Sequence, residues 1–93
     1  LPGVSIKILR EDSTEHSQTT LWRLKPGASV PTHQHSQNEE CLILEGSIVH
    51  DGTEYFAGDY LLSPTGMRHD HFFAPNGALF LIRGEIIDKA MML

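Results

Sequence analysis

The chain has 93 residues, 40% apolar and 20% charged, which suits one globular domain (residues 1–93) near the lower size limit of a self-sufficient core. Seven basic residues stand against twelve acidic ones, and Lys7, Arg10, Arg23, Lys25, Arg68, Arg83 and Lys89 form no run. Phosphate contacts need clustered cations, so nucleic acid is not an expected partner. No apolar run approaches the roughly 20 residues of a membrane span, and no signal-peptide pattern opens the chain. The single cysteine, Cys41, cannot close an intrachain disulfide, so a cytoplasmic location is expected.

The first expected strand is Val4 to Leu9, which alternates. Arg10 to Gln18 is polar and reads as a loop or hairpin tip. Thr19 to Leu24 is a strand with either Thr20, Trp22 and Leu24 or Leu21 and Arg23 turned inward. After the turn at Pro26-Gly27, Ser29 to His35 leads into the stretch that holds His33 and His35. Cys41 to Leu44 is a continuous apolar run, and the strand Glu40 to Glu45 should be covered on both faces. Ser47 to His50 and Thr53 to Phe56 flank Asp51-Gly52, a strong two-residue hairpin signal. Asp59 to Ser63, Arg68 to Ala74 and Ala78 to Arg83 are further strands, separated by Pro64-Thr65-Gly66 and Pro75-Asn76-Gly77. Glu85 to Leu93 fits a last strand or a short helix. Many short strands at close spacing, with no internal helix, predict an antiparallel sandwich or barrel.

The chemistry concentrates between Gly27 and Gly46. His33 and His35 are two apart, and in a strand such residues share a face. A turn through Ser36-Gln37-Asn38 would let a carboxylate at Glu39 or Glu40 join them. Two imidazoles and a carboxylate at one point form a metal site; two surface histidines before a turn are the bland alternative. Strand neighbours face opposite ways, so only one of the two glutamates can serve.

The spacing from Gly27 through His33, His35 and Glu39 to Gly46 resembles the first cupin motif. That from Gly58 through Pro64, Gly66 and His69 resembles the second, taken here as 58–73, although Phe73 stands where that motif has Asn. The eleven residues between Gly46 and Gly58, with Pro26-Gly27-Ala28, Glu39-Glu40 and Leu44-Glu45-Gly46, resemble the cupin domain of ChrR-type anti-sigma factors and small stand-alone cupins. The resemblance implies an all-β antiparallel double-stranded β-helix, the cupin jelly-roll barrel. It implies His33, His35, Glu39 and His69 as ligands of a divalent metal, with Fe, Zn, Mn and Ni all compatible. It further implies a small-molecule ligand in the barrel, a homodimer, and one of two functions. One is a metal-dependent, dioxygenase-like enzyme. The other is a ligand- or oxidant-sensing module related to the ChrR domain, for which a sigma factor would be the partner.

Other residues are read beside this set. Glu39 keeps the motif spacing and is preferred to Glu40. Cys41 shares the parity of Glu39 and is either a small buried residue or a redox-sensitive thiol. His71, two residues past His69, is expected on the same inward face as a proton carrier, with Phe73 continuing that face as an apolar wall. Trp22 and Tyr60 are core residues or pocket walls. Met91-Met92-Leu93 is an apolar end suited to a partner subunit.

Overall fold

A computed structural model describes residues 1–31, 37–66, 71–86 and, for backbone only, 33–34 and 68–69. The described residues form ten strands: β1 (Val4–Asp12), β2 (Ser17–Leu24), β3 (Ser29–Val30), β4 (His33–Gln34), β5 (Glu39–His50), β6 (Thr53–Phe56), β7 (Tyr60–Ser63), β8 (Arg68–His69), β9 (Phe72–Phe73) and β10 (Ala78–Glu85). Every pairing is antiparallel. The main sheet runs β1-β2-β10-β5-β9-β3, with β6 and β7 also paired to β5, and β4 pairs with β8 in a second small sheet. The expected all-β jelly roll is the observed architecture.

β5 is the spine. Its first half pairs with β10 on one side and β7 on the other; its second half pairs with β6 and β9. Two separate strands were expected here, broken at Glu45-Gly46. One twelve-residue strand forms instead: Gly46 takes φ +72° two residues past the irregularity that Leu44 makes in the β5–β10 register, and the strand passes through both without ending. Asp51 and Gly52 both have positive φ, as a tight hairpin turn between β5 and β6 requires.

Alternation builds the core. In β2, Thr20, Trp22 and Leu24 turn inward; in β10, Ala78, Phe80 and Ile82 do; in β5, Cys41 and Ile43 do. Trp22 stacks on Phe80 at 5.8 Å between ring centroids, and Phe72 meets Phe80 edge-on at 5.7 Å. Trp22 is thus core, and its indole N–H donates to Thr20 Oγ1 at 2.9 Å, which satisfies the one polar atom such a ring buries.

Two expectations need correction. The polar stretch from Arg10 to Gln18 is mostly strand, and the tip between β1 and β2 is only residues 13–16. Asp12 holds that tip: its Oδ1 accepts from the backbone N–H of Thr14 and Glu15, and the second of these bonds is the main cause of its lowered pKa. Arg68 to Ala74, expected as one strand, is interrupted and leaves the two-residue strands β8 and β9; β3 and β4 are likewise two residues each. Pro31, which has no N–H to donate, stands between β3 and β4. Of the C-terminal stretch, Glu85 closes β10, while residues 87–93, with Met91, Met92 and Leu93, lie outside the described residues.

Candidate metal centre

The two motifs meet through β4, β8 and the start of β5. In the β4–β8 ladder, His33 and His69 are direct register partners. Residues 36 positions apart are thereby brought opposite one another. His35 lies outside the described residues. Glu39 opens β5 and pairs with Ser63 of β7.

The loop before β5 is tied down on both sides. Gln37 Nε2 donates to the backbone carbonyls of Glu15 and His16, at 3.3 and 3.0 Å, and so fastens the loop to the β1–β2 tip. Asn38 Oδ1 accepts from both the N–H and the hydroxyl of Thr65, at 2.8 and 2.9 Å, and so fastens it to the turn of the second motif. These side chains hold the two motifs in one place. Sequence reading had found only turn composition here, since nothing local marks Thr65 as the partner of Asn38.

Glu39 and Glu40 separate as parity requires. Glu40 faces outward and accepts the Tyr60 hydroxyl at 2.6 Å. Tyr60 is 55% exposed, so it lies on the outside of the sheet and not in a pocket. Glu39 turns inward against Gly84 of β10, where a Cβ would come within 3.2 Å of the Glu39 Cγ. Burial first, and the nearby Glu85 carboxylate second, push its pKa from 4.5 up to about 7. Glu85 and Gly84 are contributors that sequence reading missed. Their signal was long-range pairing of β10 with β2 and β5, which no local pattern carries.

The same interior raises the Cys41 thiol to about 12, by burial first and by Glu39 second. A thiol so disposed is protonated at neutral pH and behaves as a small apolar residue.

His71 is not where strand parity put it. Its side chain is exposed and stacks on Phe73 at 6.2 Å, while Phe72 is the buried ring. β8 pairs with β4, but β9 pairs with β3 and β5, so alternation does not carry from β8 into β9. The apolar inner wall expected at Phe73 is supplied by Phe72.

The donor set suits a divalent cation. A half-buried, desolvated carboxylate next to a second carboxylate is unfavourable when ionised and gains most from a positive charge beside it. Among the described residues no three His, Cys, Asp or Glu side chains form a cluster. Two of the expected ligands, His33 and His69, are described by backbone alone.

Metal-free protein should have a stability that depends on pH through Glu39. Its folded pKa lies above its unfolded one, so the neutral acid favours folding, and the advantage present below pH 4.5 is lost as pH rises to about 7. The loss is expected to reach at most about 3 kcal/mol in metal-free protein and to shrink markedly in Glu39→Gln. Urea unfolding from pH 5 to 7.5 measures it. Equal pH slopes in the two proteins would place Glu39 in contact with bulk water.

A small jelly roll of antiparallel strands with histidines and an interior glutamate at its motif junction defines the class: a cupin. Within it, the chain belongs to the ChrR cupin-like domain family, whose profile matches residues 1–86. Among solved structures it is similar to an acetylacetone dioxygenase from Acinetobacter johnsonii, with a TM-score of 0.83 at 20% identity over 95% of this chain and 66% of that one. It is also similar to a chain in the complex of Rhodobacter sphaeroides SigE with the anti-sigma ChrR, with a TM-score of 0.77 at 24% identity over 89% of this chain and 44% of that one. An RmlC-like cupin from Shewanella frigidimarina matches at a TM-score of 0.78 and 18% identity, over 96% and 81%. Likeness at these identities shows a common fold. The chain spans just under two thirds of the dioxygenase and less than half of the chain matched in the ChrR complex. No curated protein sequence matches it.

Proposed function

We propose that this chain is a metal-binding cupin, with His33, His35, Glu39 and His69 holding a divalent cation, and that it acts as a metal-dependent enzyme on a small oxygen-bearing molecule. The observation that carries the reading is the junction of the two motifs: register pairing of His33 with His69, beside an inward carboxylate whose ionised form the site disfavours until a cation is present. A bound metal would supply Lewis-acid or redox chemistry. The chain's own contribution is to hold the loop 37–38 through the hydrogen bonds of Gln37 and Asn38 and to keep the core dry through Phe72, Phe80 and Ile82. The fold shared with an acetylacetone dioxygenase supports a dioxygenase-like activity. A cytoplasmic location and a homodimeric assembly belong to this proposal.

A second reading is favoured by the family itself. A match over residues 1–86 to the ChrR cupin-like domain, and the fold shared with a chain of the SigE–ChrR complex, support a ligand- or oxidant-sensing module that a sigma factor or similar partner reads. Metal analysis of untagged protein, with oxygen uptake on diketones, catechols and thiols, separates the two. Iron with substrate-dependent oxygen uptake is the expected result. Bound zinc with no uptake on any substrate would overturn the dioxygenase reading in favour of the sensor. Protein without metal after reconstitution would overturn both.

A further inference from the structure

The outer face of the sheet carries an apolar band that nothing in the described chain covers. Reading across β2, β10, β5 and β7, the register aligns Leu21, Leu81, Leu42 and Tyr60 in one row. The next row aligns Thr19, Arg83, Glu40 and Leu62, and on the other side Arg23 and Leu79 lie beside Leu44 and Glu45. Leu42 is 37% exposed, Leu44 43%, and Tyr60 and Leu62 55% each. Alternation along each strand explains the pattern, because these residues lie opposite the core positions Trp22, Phe80, Ile82 and Ile43. An ordinary solvated sheet face would carry polar residues at these positions. The edge strand β1 also exposes Ile8 and Leu9, but it carries Lys7 and Arg10 and a register irregularity at Leu9, features that discourage edge pairing.

The charges around the band select its occupant. Arg83 and Glu40 are register partners across β10 and β5, yet Arg83 makes no ion pair among the described residues, and Glu40 is held by Tyr60. We infer that the homodimer proposed above, on which this step rests, forms by packing this face on the same face of a second copy. A two-fold axis lying in the interface, along the strands and between β5 and β10, satisfies both features of the surface. It sets Leu81 against the partner's Leu42, Tyr60 against the partner's Leu21, and each Arg83 beside the partner's Glu40. An isologous contact repeats each of these twice, and two twisted sheets pack face to face in this aligned manner. With side chains of this size, the band offers on the order of 500 Å² of apolar surface. A standard interface buries roughly 800 Å² per partner, about 65% of it apolar in homodimers, so the band is of the size a dimer needs.

Sedimentation equilibrium of the full chain, with circular dichroism as the check on folding, tests the inference. Wild type should sediment at twice the chain mass, and Leu42→Lys should weaken association by about 30-fold or more. Arg83→Glu and Glu40→Arg should each weaken it by about tenfold, and the two together should restore it to near the wild-type value. A wild type that stays monomeric at ~100 μM would overturn both the homodimer and this face, and leave the band to a different partner. A dimer indifferent to a folded Leu42→Lys would overturn the face and leave the homodimer standing. Should Leu42→Lys not fold, the charge exchange decides: no recovery in the double variant overturns the inference.

Discussion

Replacing His33 and His35 together by alanine is expected to reduce the metal content of purified protein to background and to lower Tm by about 10–20 °C. The size follows from linkage. A ligand that binds only the folded state, present at a hundred times its Kd, adds about 2.7 kcal/mol, and each kcal/mol moves Tm by roughly 4–8 °C in a domain of this size. The loss has a second origin to exclude, because His33 lies in the β4–β8 ladder and substitution there could disturb pairing. Chelation separates the two. If the histidines act through metal, wild type and double variant should melt together once both are metal-free, because the variant has lost only what the chelator removes. A Tm difference that persists in excess chelator would make the histidines structural, and unchanged metal content in the double variant would remove them from the site. Glu39→Gln offers an independent arm: it should weaken metal binding while raising metal-free stability near pH 7, since the charge that the interior disfavours is gone. Opposite effects on binding and on stability are a signature that a packing residue does not give.

What the sequence could and could not convey follows from the range of each signal. The hairpin at Asp51-Gly52 was readable because two adjacent residues determine it, and both adopt the positive φ that the turn demands. The inward row Thr20, Trp22, Leu24 was one of two options, and choosing between them needed β10 packed alongside. The separation of Glu39 from Glu40 followed from strand parity, which holds wherever a strand is continuous. Parity failed at His71 and Phe73, because the chain there leaves one ladder and joins another within two residues. The side chains that fix the site, Gln37 on the β1–β2 tip and Asn38 on Thr65, act across 21 to 27 positions of sequence, a distance at which composition and periodicity are silent. The same is true of Glu85, which raises the pKa of a carboxylate 46 positions away only because β10 lies beside β5.

Gly46 carries the other large expected effect: Gly46→Ala should cost about 3 kcal/mol or more, a large share of the 5–15 kcal/mol that keeps a domain folded. Two terms add. The residue sits at φ +72°, where a side chain costs about 1–2 kcal/mol. The added Cβ would also overlap the carbonyl of Gly77, a backbone atom that no rotamer change can clear and that also accepts from the Ser47 N–H at 3.3 Å. Relief would require pulling β10 away from β5 where the two are joined, next to Ala78 and Phe80 in the centre of the core. Gly52→Ala isolates the first term, since Gly52 has nearly the same φ of +77° and nothing within 4 Å of the built Cβ. It should cost only about 1 kcal/mol. Denaturant midpoints of the two variants, with unchanged m-values, give the difference directly, and that difference is the resistance of the β5–β10 junction to separation. Equal losses at 46 and 52 would mean that the Gly77 carbonyl moves aside freely, and the junction would then be a soft point of the barrel, not its spine.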